Sequence, residues 1–383
     1  MARGFWLANA VIFLDEVLYL ALIPLLPYYA ERFELSKTES GLLYAAYPLL
    51  VLLSSVPAGL ISDRLGGRRM LLVGCGLLVL ATVGFAYAQS AWQLWLARAL
   101  QGLTAGLVAT AGMAMIAASA DPRRRATTIG AAVSLQGLSA LGGYALGGFV
   151  APALGVSHAF LIPAALGLIT FGAVLLDRSV QPSAVSLPSY RAALLGPLRS
   201  TAVRASIACI LTVGLAGAAA QTLASLSLDT AGYSTSELGV TFIIAASVGL
   251  ASAPLAGRLA DRKGVVSIIR AWAVATPLIL VGLALAGGLS WAIASCLVAV
   301  LALVRVGGTL AYARGAEYAG LGEGLAASYG LAVMAWSVGA VAGPLIAGVI
   351  ADATTDRLAY ACVAAIAVVL AIPASRRDRC GAA

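Results

Sequence analysis

The chain has 383 residues, of which 61% are hydrophobic and 10% charged, with a formal net charge of +8. A charged fraction far below the roughly 25% of soluble domains excludes a water-soluble globular protein. Apolar segments of about 20 residues recur from end to end, the length that carries a helix across about 30 Å of hydrocarbon, which also excludes a β-barrel built from alternating strands of about ten residues.

Apolar windows and breakers predict helices over 5–29, 40–62, 69–89, 92–118, 126–150, 157–177, 202–228, 236–258, 265–287, 290–313, 325–351 and 357–374. The first begins almost at Met1 and runs to a full span with no small-residue cleavage site, so it is expected to stay as a membrane helix and not as a removed signal peptide. Twelve spans place both ends on one side of the bilayer.

The first segment contains "FLDEVLYLALIPLLP" (13–27), with two adjacent acids. A charge at that depth costs about 3 kcal/mol, so Asp15 and Glu16 read as functional. Adjacent residues lie about 100° apart around a helix, and both cannot point straight into one cavity. Asp15, on a face with Tyr19 and Leu22, is taken as the cavity acid and Glu16 as the partner of a neighbouring helix. The reverse assignment stays open. Pro24 and Pro27 remove hydrogen bonds to the carbonyls of Leu20 and Ile23, making the outer half of this helix pliable.

Between segments 2 and 3 stands "GLISDRLGGRR" from Gly59, with Gly59 permitting close helix approach and Gly66 and Gly67 a tight turn. Asp63 ends its helix where the macrodipole disfavours an anion, so it calls for a compensating partner. Segment 4 carries "LWLARALQGLTAG", with Arg98 about six residues into the span and Gln101 and Gly102 after it. Segment 5 adds Gln136, then Ser139, Gly143, Tyr144, Gly147 and Gly148. The interval from Asp177 to Ser200 is polar and holds Pro182, Pro188 and Pro197. It divides the chain into a bundle at 1–178, a linker at 179–201 and a second bundle at 202–383.

In the second half, segment 7 brings Gln221. "GRLADRKG", with Gly257, Asp261, Arg262, Lys263 and Gly264, follows segment 8, Gly257 like Gly59 permitting close helix approach. Arg305 lies about fifteen residues into segment 10, too deep to snorkel, so it is expected to face a polar cavity or an acid. Segment 11 has Gly339, Gly343, Pro344 and Gly348. Glu317 and Glu323 flank a short loop, where they meet water or Arg314. The cysteines show no metal-ligand spacing and read as small core residues, and His158, at an outer helix end, has no nucleophile or metal partner.

Loops and ends on one side hold eighteen Lys and Arg, including Arg123, Arg124 and Arg125, against three (Arg32, Lys37 and Arg357) on the other. The positive-inside rule puts both termini in the cytoplasm and accounts for most of the net charge, so no nucleic-acid partner is needed. The halves also repeat. Asp63 and Asp261 are 198 positions apart, and "GGYALGG" (142–148) matches "AGPLIAG" (342–348) at an offset of 200. The expected fold is therefore an all-α membrane protein with twelve transmembrane helices in two pseudo-symmetric six-helix bundles.

On these motifs the sequence resembles the major facilitator superfamily of secondary transporters. Gly59, Asp63, Arg64, Gly66, Arg68 and Arg69, with the echo at Gly257, Asp261, Arg262, Lys263 and Gly264, match its cytoplasmic loop signature, which implies a gating role. Arg98, Gln101 and Gly102 are similar to the arginine motif of proton-coupled members. Segment 5 departs from the antiporter pattern, with Tyr144 in the proline position, whereas segment 11 keeps Gly339, Gly343, Pro344 and Gly348. The spacing of Asp15 to Pro24 and Pro27 resembles the first helix of drug:proton antiporters that include vesicular amine transporters. The additional acids those relatives carry in helices 10 and 11 are absent, so monoamine specificity does not carry over.

The resemblance implies a proton-driven exporter of lipophilic cationic or zwitterionic small molecules working by alternating access. Coupling falls to Asp15, Glu16, Arg98 and Arg305, and the cavity to Tyr19, Gln101, Gln136 and Gln221. Alternatives are proton-coupled movement of an anionic metabolite held by Arg98 and Arg305, and a receptor-like membrane protein without flux. No enzyme activity, cofactor or metal is expected, the proton gradient being the energy source. Expected partners are substrate, protons and the lipid bilayer, with the chain a monomer in the cytoplasmic membrane.

Overall fold

The computed structural model describes residues 3–119, 125–177, 196–319 and 325–374. Among these there are no strands, and twelve long helices follow one another: α1 (Arg3–Arg32), α2 (Lys37–Leu65), α3 (Gly67–Ala86), α4 (Ala91–Ser119), α5 (Arg125–Ala145), α6 (Val156–Leu176), α7 (Thr201–Thr230), α8 (Thr235–Lys263), α9 (Val265–Leu285), α10 (Ser290–Ala319), α11 (Leu325–Ala353) and α12 (Asp356–Ala374). A π turn, Leu146–Val150, and a last turn, Ala151–Leu154, extend α5. Large apolar side chains such as Ile169, Leu176 and Leu285 stay 68%, 83% and 78% exposed, the surface a lipid solvent demands.

Local chemistry explains the helix boundaries and repeats between the halves. Before α2, Ser36 N–H donates to Glu39 Oε2 (2.9 Å) and Glu39 N–H to Ser36 Oγ (3.1 Å). Before α8, Ser234 and Glu237 exchange the same pair of bonds at 2.8 and 3.3 Å. Both are capping boxes that satisfy orphan N–H groups of a helix start. The breaks after α2 and α8 each take a single residue, Gly66 and Gly264, both at φ 83°, a left-handed value that glycine adopts without steric penalty. Ser36 to Ser234 and Gly66 to Gly264 are both separations of 198, the offset of the Asp63 and Asp261 motifs.

The helices cluster into two compact units. One comprises Met1–Leu35, Ala46–Ser186 and Tyr233–Ile243; the other comprises Ser36–Ala45, Leu187–Gly232 and Ile244–Ala383. The sequence-based division at 178 and 202 therefore has two segments placed otherwise. Packing explains the first: Cβ atoms built at Gly41 and Gly348 would meet Pro344 O and Lys37 O at 2.6 Å each, so the start of α2 lies backbone to backbone with α11.

Inside the first unit α1 packs on α4, α5 and α6, and α3 on α4 and α6. Inside the second, α7 packs on α10, α11 and α12, and α9 on α10 and α12. The two patterns correspond helix for helix. Glycines set the close approaches: a Cβ on Gly143 would sit 2.6 Å from Val17 O and one on Gly147 2.2 Å from Ala21 O, while Gly339 and Gly343 would each lie 2.3 Å from a carbonyl of α7, Leu211 O and Leu215 O respectively. Without side chains these positions bring backbones into contact. Where the antiporter pattern has proline, Tyr144 instead stacks on Phe242 at 5.1 Å, two residues before the π turn.

Three expectations are corrected. Among the described residues a Cβ on Gly257 would meet nothing within 4 Å, so no close packing there accounts for that glycine. Arg314 is not a loop residue: α10 runs on to Ala319 and Arg314 is 4% exposed. Cys75 and Cys209 are buried as expected of core residues, but Cys296 and Cys362 are only partly so. Gly59, Asp63 and Arg64 lie on α2 and Glu317 on α10, with side chains outside the described residues, and Glu323 itself lies outside them.

Candidate transport site

The first unit gathers a polar cluster in its apolar interior from α1, α2 and α4. Asp15 is 4% exposed and accepts a hydrogen bond from the Tyr47 hydroxyl at 2.7 Å on Oδ2. Oδ1 of the same carboxyl is buried and accepts no hydrogen bond among the described residues. The Arg98 side chain, 0% exposed, donates to Gln101 Oε1 at 2.8 Å and to Tyr19 O at 3.3 Å. Its guanidinium carbon lies 4.8 Å from the Tyr19 ring centroid and 5.0 Å from that of Tyr47, the two rings being stacked at 4.3 Å. Gln101 also reaches the Asp15 carbonyl at 3.4 Å.

Each placement follows from local structure. Asp15 and Tyr19 are four residues apart on α1, and Arg98 and Gln101 three apart on α4, so each pair shares a helix face. Gly102 lets α2 come close: a Cβ there would stand 2.2 Å from Tyr47 O, so glycine is what seats the Tyr47 backbone against α4. Gly106, one turn on, does the same for Ser54, whose Oγ would lie 2.0 Å from an added Cβ. A planar guanidinium suits this site because it stacks on aromatic faces while its edges donate hydrogen bonds.

Of the residues singled out from sequence, the structure brings together Asp15, Tyr19, Arg98 and Gln101. Glu16 is half-buried, less enclosed than Asp15. Gln136 is half-buried and its amide points to Met113 Sδ at 3.9 Å, not into the cluster. In the second unit, Gln221 donates back to Gly217 O of its own helix at 3.1 Å. Arg305 is exposed, its stem lying over Gly249 of α8, where a Cβ would meet Arg305 Cγ at 2.8 Å. The Arg305 guanidinium has no hydrogen bond or ion pair among the described residues, so the expected acid partner is not found there.

Tyr47 is the member of the cluster that sequence reasoning misses. The only local signal is a phenol beside Pro48 in the apolar run "LLYAAYPLLVLL", and its importance depends on what α1 and α4 present to it. The repeat sharpens the asymmetry. Gly143 meets Val17 O and Gly343 meets Leu215 O; two residues before Val17 is Asp15, and two before Leu215 is Val213. The halves share packing, while among the described residues the buried acid belongs to the first alone.

In the loop motifs, Arg68 donates to Val174 O (3.2 Å) and Leu175 O (2.6 Å), satisfying carbonyls at the end of α6 within its own unit. Asp261 and Arg262 are exposed. Among the described residues no His, Cys, Asp and Glu group has the composition of a metal site.

Comparison with known proteins gives a consistent family. The chain is 34% identical over 160 residues to the MFS-type transporter ppzB of Metarhizium rileyi, covering 40% of this chain and 33% of that one. It is 30% identical over 236 residues to the synaptic vesicular amine transporter of Mus musculus, covering 59% and 44%. It is 26% identical over 223 residues to the quinolone resistance protein NorA of Staphylococcus aureus, covering 57% of each. The matched part of the chain thus spans 33% to 57% of these relatives' lengths. The fold matches the crystal structure of a bacterial homolog of the human lysosomal transporter Spinster, with a TM-score of 0.80 at 14% identity and 98% of both chains covered. With a sequence profile matching residues 5–327, the chain belongs to the Major Facilitator Superfamily and is a multi-pass membrane protein.

Proposed function

We propose that this protein exports lipophilic cationic or zwitterionic small molecules in exchange for protons, by alternating access. The observation that carries this reading is the Asp15 carboxyl. It is buried, held by one hydrogen bond from Tyr47, has its second oxygen without one among the described residues, and neighbours a fully buried Arg98. A carboxyl in such a place alternates between a protonated and a charged form, and only the charged form attracts an organic cation. Proton entry from outside then releases the bound compound, and compound binding from inside releases the proton. The names of two relatives, a vesicular amine transporter and a quinolone resistance protein, support an amine or drug as cargo. The excess of basic loops supports cytoplasmic termini in a cytoplasmic membrane.

The second reading is proton-coupled transport of an anionic metabolite, favoured by one observation: the exposed Arg305 guanidinium without an ion pair among the described residues. Proteoliposomes with an imposed pH gradient separate the two. Gradient-driven ethidium flux inhibited by tetraphenylphosphonium and not by organic anions supports the first. Inhibition by anions alone supports the second, and absence of flux for either charge class leaves the receptor-like alternative.

A further inference from the structure

Proton exchange at Asp15 does not by itself require Tyr47, yet that side chain is 3% exposed and touches both charged groups of the site. Its hydroxyl donates to Asp15 at 2.7 Å while its ring face lies 5.0 Å from the Arg98 guanidinium carbon. These are two different interactions made by one conjugated group. A phenol that donates to a carboxylate becomes richer in ring electron density, which strengthens its attraction for a cation over its face. When the acceptor becomes a neutral acid, the charge-assisted bond weakens and the ring holds the cation less firmly.

We propose that Tyr47 is the positioning residue through which Asp15 and Arg98 sense one another's charge state. The proposal rests on the reading of Asp15 as the exchanging acid. Proton arrival at Asp15 loosens the Tyr47 hydroxyl and, through the same ring, the stacked Arg98; departure of the proton tightens both. Tyr19, stacked on Tyr47 at 4.3 Å, supplies the second wall of the guanidinium seat. Gly102 keeps the ring in register, since any larger residue would push the Tyr47 backbone away.

The test is a mutant cycle read in the melting temperature of the purified full-length protein in detergent, which needs no substrate. With Tyr47 present, Asp15→Asn and Arg98→Lys are non-additive by about 2 °C or more; in the Tyr47→Phe background, which keeps the ring, the non-additivity disappears. Tyr29→Phe is the control, because the buried Tyr29 hydroxyl has no hydrogen-bond partner among the described residues, and it leaves the non-additivity unchanged. Equal non-additivity in the wild-type and Tyr47→Phe backgrounds, or none in the wild-type background, overturns the proposal. Should Arg98→Lys not fold, the ¹⁵N resonance of the Arg98 guanidinium replaces that substitution: Asp15→Asn moves it when Tyr47 is present and not in Tyr47→Phe, and an equal movement in both overturns the proposal. Failure of the wild type to move ethidium refutes the proposed function alone and leaves this cycle to decide the role of Tyr47.

Discussion

Arg98 and Tyr47 meet guanidinium to ring face at 5.0 Å, and the hydroxyl of that same ring holds Asp15 at 2.7 Å. A buried cation is thus kept by π faces and by the amide and carbonyl oxygens of Gln101 and Tyr19. One ring therefore serves both as hydrogen-bond donor to the acid and as a wall of the arginine's seat.

Asp15→Asn preserves the shape of the side chain and its ability to accept from Tyr47, so the protein folds, with a melting temperature within about 3 °C of the wild type. Gradient-driven flux of ethidium in proteoliposomes falls at least about tenfold, because the amide cannot exchange a proton. Full proton coupling in this variant removes Asp15 from the mechanism.

Gly102→Ala inserts a methyl group 2.2 Å from Tyr47 O, closer than any real carbon contact, and the neighbour is backbone, which cannot rotate away. Overpacking of this kind costs about 1–3 kcal/mol. Thermal melts of the purified variant measure it, and a melting temperature equal to the wild type refutes the close approach of α2 and α4.

Arg305→Gln removes an exposed side chain that makes no hydrogen bond or ion pair among the described residues, so stability changes by less than about 0.5 kcal/mol. If cations are the cargo, ethidium flux is retained; if anions are, competition by organic anions weakens at least about tenfold. One variant in one flux assay therefore decides between the two transport readings.

Asp352→Ala removes the carboxylate that accepts from the backbone N–H groups of Lys37 at 3.1 Å and Thr38 at 2.8 Å. Loss of such a helix-start acceptor costs about 1 kcal/mol. Lys37 also pairs with Asp356, which takes a further hydrogen bond from Ser227, so that second pair survives and the drop stays small. A fall of several kcal/mol in chemical unfolding contradicts this.

The membrane class, the twelve helices and the internal repeat were all legible in the chain, because they depend on properties local to a segment. Apolar length is one: "VSHAFLIPAALGLITFGAVLL" forms α6 wherever it stands. Capping residues and turn glycines are others, and Ser36 with Glu39 and Gly66 repeat at Ser234 with Glu237 and Gly264. Asp15 and Arg98 were legible as anomalies, since an ionised group in an apolar run is costly anywhere it occurs. Glycine at 257 misled because a small residue permits close packing without requiring it, and Arg314 misled because helix α10 outlasts its apolar stretch.

What the sequence determined by itself is the set of spans, their repeat and the presence of buried charges, since hydropathy and helix period act along one helix. Which charges and aromatics meet was decided by tertiary structure alone. Neighbours across helices depend on the rotation and depth of each helix, and here those are set by glycine contacts such as Gly102 against Tyr47 and Gly143 against Val17. For that reason Tyr47, inconspicuous in the chain, stands between Asp15 and Arg98 in the fold, while Gln221, prominent in the chain, turns back onto its own helix.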